Sequence, residues 1–389
     1  MNTQSTPVHI RLWHREFWLL VIADLLLTMA IYALVPVIPQ WLMDTENFSP
    51  LETGLSMGAF GLGLYLLGAQ CSWLVQHYRR NVVCMWAVLA MTVDLALLWY
   101  IDSLRSEFVE FWVILVHRLV LGATFGLAQM VLSSTLIIDT CESYQRTEAN
   151  YSAAWFARFA LSLGPLAGWL LYDNIGFHGV LWGAMGCAVL SVLFIKLVNF
   201  PFRAPEEGIH MASLDRFLLP HSQVLFFNLL LVSVVMGLVL SLPLDIVFYA
   251  FMMAGFLLAL LSQRFVFRDA DLKSEVITGL ILVMAALFIL LTYFHSPVAP
   301  VLLGLGLGIT GGRFLLFFIK LSRHCKRGTS QSMYFLSWET GLALGLGLGY
   351  AVFSQLLQPL LYTAIVLTAV ALLMYHFYTH AWFLRHKNR

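Results

Sequence analysis

RTEANYSAAWFARFALSLGPLAG, Arg146 to Gly168, is written a second time in this chain as RGTSQSMYFLSWETGLALGLGLG, Arg327 to Gly349. An offset of 181 residues lays Arg146 on Arg327, Gly164 on Gly345 and Gly168 on Gly349. Each copy opens on a basic residue, runs through an apolar stretch of helical length and closes on glycines four apart. The same offset lays Arg158 on Glu339, so opposite charges occupy equivalent places. A repeat of about half the chain length is how two-halved membrane transport folds are built.

The composition agrees with a membrane protein. Of the 389 residues, 60% are hydrophobic and 11% charged, too few polar side chains to cover a water-soluble globule of this size. Apolar runs of about 20 residues recur from end to end, each long enough to cross a hydrocarbon core of about 30 Å. They predict twelve helices, at 16–39, 51–76, 81–101, 110–137, 149–172, 177–199, 221–243, 245–265, 275–295, 298–320, 330–355 and 359–380. The expected fold is therefore an all-α membrane protein of two pseudo-symmetric six-helix bundles. The longest polar break, residues 201–220, divides the helices six and six and reads as a cytoplasmic linker between a bundle at 1–200 and a bundle at 221–389.

Orientation follows from the basic residues. With the N-terminus inside, Arg79, Arg80, Arg146, Lys320, Arg327 and Arg385 fall in cytoplasmic segments, whereas the outer loops hold only Arg105. Basic residues resist translocation, so both termini are expected in the cytoplasm, with the chain multi-pass in a bacterial inner membrane. A net charge of +1 gives no argument for a nucleic-acid partner. The cysteines, Cys71, Cys84, Cys141, Cys187 and Cys325, form no CxxC or Cys/His cluster, so neither a disulfide framework nor a metal site is expected.

Charges inside the spans carry the most chemistry, because one at mid-membrane costs at least about 2.5 kcal/mol on insertion scales. The candidates are Asp24, Asp94, Arg118, Arg158, Arg313 and Glu339. Asp24 and Arg158 share a depth of roughly 12–15 Å from the cytoplasmic end at helical rise, and could pair. Arg313 and Glu339 share a similar depth in the second half, and Asp94 and Arg118 lie together nearer the outer side. Each pair has a bland reading, as an ion pair that makes insertion tolerable, beside a functional one. Among uncharged groups, Gln129, Asn228 and Gln331 could hydrogen-bond a solute or merely a neighbouring helix, and Trp155 lies beside the buried charges.

Two motifs carry a family likeness. Gly164-Pro165-Leu166-Ala167-Gly168 resembles the Gly-Pro-x-x-Gly signature of the major facilitator superfamily's twelve-helix drug/proton antiporter branch. Arg118, Gly122 and Gly126 are similar to that family's Arg-x-x-x-Gly pattern. The loop Ser72 to Val83 stands where the family carries a basic loop that clasps the inward gate. Arg79 and Arg80 remain there, although Gln76 replaces the family's aspartate. The resemblance implies that helices 1, 4, 7 and 10 line a central cavity, with 5 and 11 at its flanks. On the residues alone, Pro165 removes one backbone donor and kinks its helix, and Gly164 and Gly168 let the kinked rod approach a partner.

The expected protein is a secondary transporter that moves a small organic solute by alternating access. It has no Gly-x-x-x-x-Gly-Lys nucleotide loop and no cofactor, so a gradient must drive it. Asp24 and Glu339 are the expected proton carriers. Arg118, Arg158, Arg313, Gln129, Asn228 and Trp155 are the expected substrate contacts, and Gly164, Pro165, Gly168, Arg79 and Arg80 serve gating or packing. Its partners would be the solute, the proton and the bilayer, and it would act as a monomer. The proline motif favours proton-coupled export. Arginines that equal the buried acids leave open proton-coupled uptake of an organic anion or sugar-like metabolite, or a lipid-flipping or sensor role. One enzyme-like string, His210-x-x-x-x-Asp215, lies in a linker with no room for a catalytic domain.

Overall fold

The computed structural model describes residues 11–104, 109–200, 210–267, 271–323, 326–354 and 356–388. Residues 201–209 of the expected linker, Arg105 and Cys325 lie outside the described residues. Twelve long helices run up and down the described chain. In the first half they are α1 (Arg15–Asp44), α2 (Pro50–His77), α3 (Arg80–Leu104), α4 (Phe111–Asp139), α5 (Arg146–Ile175) and α6 (Phe177–Lys196). The second half adds α7 (Gln223–Leu240), α8 (Ile246–Phe265), α9 (Leu272–Thr292), α10 (Val298–Leu321), α11 (Arg327–Ala351) and α12 (Leu357–His386). The expected spans coincide with these to within a turn or two.

Eleven of the helices are long and apolar enough to cross a membrane. The exception, α11, is long enough at 25 residues but carries Ser330, Gln331, Ser332, Ser337 and Glu339. All five are buried in protein, which is where polar groups at membrane depth are tolerated.

Local chemistry sets the helix ends. Ser49 and Glu52 form a reciprocal capping box at the start of α2, with Pro50 in the first turn where its missing N–H costs nothing. Asp245 accepts from Phe248 N at 2.9 Å to start α8. Gly176, at φ +87°, turns the chain from α5 into α6 with a conformation that favours glycine. The helical hydrogen bonding of α1 is interrupted at 33–36, just ahead of the N-cap Pro36, which has no N–H to continue the ladder.

Small residues set the packing, since lipid supplies no hydrophobic drive between helices. The repeat seen in the sequence is realised in space. Gly164 and Gly168 bring α5 onto α1, where a methyl on Gly168 would stand 2.2 Å from the Ala33 carbonyl oxygen. Gly345 brings α11 onto α7, where a methyl would stand 2.3 Å from the Val234 carbonyl oxygen. Across the two halves, α2 runs along α11 and α5 along α8. The first contact holds a Tyr65–Thr340 hydroxyl pair at 2.9 Å, and the second a bond from Ser162 Oγ to the Tyr249 carbonyl at 2.5 Å.

α1 begins and α12 ends on one face, the terminal face. There the chain ahead of α7 lies across both halves. Ser213 N donates to the Ala69 carbonyl at 2.9 Å, and Arg216 reaches Ser72 Oγ on α2 at 3.3 Å and Ser134 Oγ on α4 at 3.0 Å. A methyl on Gly328 of α11 would stand 2.6 Å from Arg216 Nη1. Arg327 donates to the Ser143 carbonyl at 3.3 Å, closing α11 onto the segment between α4 and α5.

Candidate functional site

A cavity lies at mid-depth between the halves. It is lined by Asp24, Thr28 and Tyr32 of α1, Gln129 and Ser133 of α4, Asn150, Arg158 and Leu161 of α5, and Gln331, Tyr334, Trp338 and Glu339 of α11. The two members of the repeat therefore place Arg158 and Glu339, the equivalent positions of opposite charge, in one space. The cavity measures about 50 Å³, room for a few waters and far below the roughly 300 Å³ at which small-molecule pockets begin. An organic solute enters only if the helices part.

The two carboxylates are held by neutral donors. Gln129 Nε2 donates to Asp24 Oδ1 at 2.6 Å within the first half. Tyr32 Oη donates to Glu339 Oε1 at 2.6 Å from one half to the other. The sequence paired Asp24 with Arg158 and Glu339 with Arg313, and the structure corrects both pairings. Depth along the bilayer is common to all four residues, but azimuth around each helix, which depth does not record, decides who meets whom.

Among the described residues Arg158 has no hydrogen-bond or ion-pair partner. Its guanidinium carbon lies 4.7 Å from the Trp155 ring centroid, and Nε, Nη1 and Nη2 are all buried without a hydrogen bond. It points toward α10, where a methyl on Gly311 would stand 3.2 Å from its Nε and 3.4 Å from Tyr334 Oη. Other cavity groups are also unmet. Both polar atoms of Asn150 and the side-chain carbonyl oxygens of Gln129 and Gln331 lack partners. Buried polar atoms are nearly always bonded, so this concentration around one cavity calls for a reason.

The remaining expected residues lie elsewhere. Arg313 on α10 donates from Nε to Glu275 at the start of α9, away from the cavity, and Glu275 is fully buried. Asn228 on α7 donates to the Ala371 carbonyl at 3.1 Å and to Thr379 Oγ1 at 3.2 Å, both on α12. Arg118 on α4 lies over the Phe60 ring at 5.0 Å rather than on Asp94. Asp94 instead faces His117, whose Nδ1 is 2.9 Å from Oδ2. Trp155 supports Arg158 without lining the cavity itself. Arg80 pairs with Asp139 at the end of α4, while Arg79 is exposed. The lining helices are α1, α4, α5 and α11, so α7 and α10 do not contribute as the resemblance implied.

Two partners were missed by sequence reasoning for identifiable causes. Glu275 lies at a helix end, where a carboxylate costs little and draws no attention. His117 is not counted as a charge, although its place beside Arg118 was a signal that could have been used.

A second space opens on the face opposite the termini. It measures about 460 Å³ and lies among the ends of the helices, lined by Pro36, Gln40 and Asp44 on α1, Trp169 and Asp173 on α5, Asp245 and Ile246 around the start of α8, and Tyr350 on α11. Along α5 the two spaces are separated from Leu161 to Trp169, about 12 Å of helix. Gly164, Pro165 and Gly168 fill that interval and press α5 against Tyr32 and Ala33. The glycine-proline motif thus lies along α5 between this vestibule and the cavity.

Comparison with known proteins gives a consistent picture. The sequence model of the family described as Major Facilitator Superfamily matches residues 20–346. No curated protein matches the sequence. Among solved structures, the human organic anion transporter MFSD10 (TETRAN) is similar at a TM-score of 0.69 and 15% identity, over 93% of this chain and 99% of that one. The transporter FucP in its outward conformation is similar at a TM-score of 0.67 and 14% identity, over 97% of this chain and 100% of that one. A bacterial homologue of the iron transporter ferroportin in an outward-facing state gives 0.63 and 16%, over 95% and 99%. At such identities the likeness is one of fold.

Proposed function

The chain belongs to the major facilitator superfamily, and on that premise we propose that it is a secondary active transporter that exports a small organic solute in exchange for protons. The observation that carries this reading is the pair of carboxylates, one from each half, that line a single cavity and, among the described residues, form no ion pair with an arginine. A carboxylate held only by a neutral donor can take a proton as its counter-charge, and the bond that holds it must be exchanged when the halves move.

The movement follows from the packing. With the basic residues inside, the terminal face is cytoplasmic and the vestibule opens outward. Arg216, Arg327 and Gly328 close the cytoplasmic side, and the Gly164-Pro165-x-x-Gly168 segment separates the vestibule from the cavity. Rocking of the two bundles about the cavity parts one closure as the other forms. Separation of α1 from α11 releases Glu339 from Tyr32 into water, where it exchanges its proton. Asp24 acts as a second carrier on the first-half side. The outward direction rests on the resemblance of the proline motif to antiporters, and the protein works as a monomer in the inner membrane.

The test uses purified protein in liposomes with an internal pH dye. Asp24→Asn and Glu339→Gln are expected to abolish gradient-driven flux while counterflow exchange of the solute persists. If each variant responds to a pH gradient as fully as the parent, neither acid is a carrier. The sign of proton movement on adding solute separates exchange from co-transport, and inward protons accompanying inward solute would reverse the proposed direction.

A further inference from the structure

The unmet atoms of the cavity describe the solute that would satisfy them. Arg158 is 5% exposed and offers three guanidinium nitrogens without an acceptor. Asp24 and Glu339 share the cavity, but among the described residues neither forms an ion pair or hydrogen bond with Arg158. Trp155 backs the guanidinium through its ring face, which supports the cation but accepts no hydrogen bond in its plane. A planar fork of donors in a water-poor space matches a carboxylate or another oxyanion with two coplanar oxygens.

The other unmet groups add a second requirement. Gln129 Oε1 and Gln331 Oε1 are acceptors that lack a donor, and Asn150, 1% exposed, lacks both. Gln129 and Asn150 are on the first half and Gln331 is on the second, so a solute that meets them spans the interface. Tyr334 and Trp338 complete the wall.

The geometry points to a small organic anion, bound by Arg158 through its carboxylate and by Gln129, Asn150 and Gln331 through hydroxyl or N–H donors on its body. This inference rests on the transport reading, but its test needs no gradient, so loss of proton coupling and loss of anion binding are separate results. Gly311 enters as a positioning residue. It keeps open the space beside Nε that lets Arg158 extend toward α10, and a methyl there crowds the guanidinium without removing its charge.

The experiment is a thermal-unfolding screen on detergent-purified protein. The probes are gluconate, 4-hydroxybenzoate and N-acetylglycine, each beside its uncharged counterpart glucose, 4-hydroxybenzamide and N-acetylglycinamide, with acetate and tyramine as controls. A solute that binds only the folded state raises the melting temperature. At millimolar concentration at least one hydroxyl- or amide-bearing carboxylate is expected to raise it, and its uncharged counterpart and acetate are not. Arg158→Met is expected to abolish that rise, Gly311→Ala to weaken the apparent affinity several-fold, and Gly186→Ala, on α6 and outside the cavity wall, to leave the rise in place. Stabilisation by the uncharged solutes or tyramine but by no carboxylate overturns the inference. So does a panel in which no carboxylate acts, or a rise that survives Arg158→Met. Should Arg158→Met not fold, an unchanged response of Gly311→Ala overturns the assignment of Arg158.

Discussion

Tyr32 and Glu339 are joined by a 2.6 Å hydrogen bond that crosses from the first half of the chain to the second, beside the turn of α1 on which Gly164 and Gly168 pack. Removing the hydroxyl leaves a buried carboxylate oxygen without its donor, which costs about 1–3 kcal/mol. Tyr32→Phe should therefore lower the melting temperature, and Tyr32→Phe combined with Glu339→Gln should lose less than the sum of the single changes. Strict additivity in that double-mutant cycle would mean the two groups do not interact.

The repeat predicts paired lesions. Gly168→Ala and Gly345→Ala each drive a methyl to within 2.2 and 2.3 Å of a neighbouring carbonyl oxygen, so each should destabilise by about 1–3 kcal/mol through overpacking. Gly186→Ala meets nothing within 4 Å and provides the control. Thermal melts of the three variants in one detergent check this, and an equal shift for all three would refute the close-packing account.

Arg313 and Glu275 should matter for stability and little for coupling. Glu275→Gln removes the charge that faces the partly exposed Arg313 guanidinium and should cost about 1–3 kcal/mol, whereas Glu275→Leu together with Arg313→Met should recover most of that loss. Flux per folded molecule in the double variant should stay near the parent's. A double variant that melts normally but no longer responds to a proton gradient would return Arg313 to the transport machinery.

Much of the fold was legible because it is written in composition and period. Helix-length apolar runs and the offset that maps Gly164 on Gly345 each depend on neighbours along the chain. Part of the site was legible for the same reason, since a buried charge is visible wherever it sits, and Asp24, Arg158, Glu339 and Gln129 do meet in one cavity. Their pairings were not. Asp24 turns to Gln129 and Glu339 to Tyr32 because of rotation and tilt, which are fixed by which glycines face which backbone. Asn228 looked like a solute contact by type and depth, yet its amide faces α12. The unmet atoms of Asn150 and Gln331 become informative only once every other bond nearby is known.

Arg216 should govern the terminal face. Arg216→Ala removes both hydroxyl contacts and the stop beside Gly328. It should raise the rate at which a cysteine placed at the buried Ser330 of α11 reacts with a water-soluble maleimide from that face, by several-fold. An unaltered labelling rate, with the parent's melting temperature, would show that the arginine does not hold the closure.

The position of Arg216 gives the linker a part to play that length alone would not. A cord whose middle is knotted to α2 and α4 and wedged beside α11 is shortened or freed each time those helices shift, so it tracks the posture of the whole molecule. An indifferent glycine-serine spacer of equal length would still tie the bundles together, but it would leave them without the crossbar that favours the posture seen here. Anything that grips residues 210–218 on the terminal face would then pull on the same balance, far from the cavity.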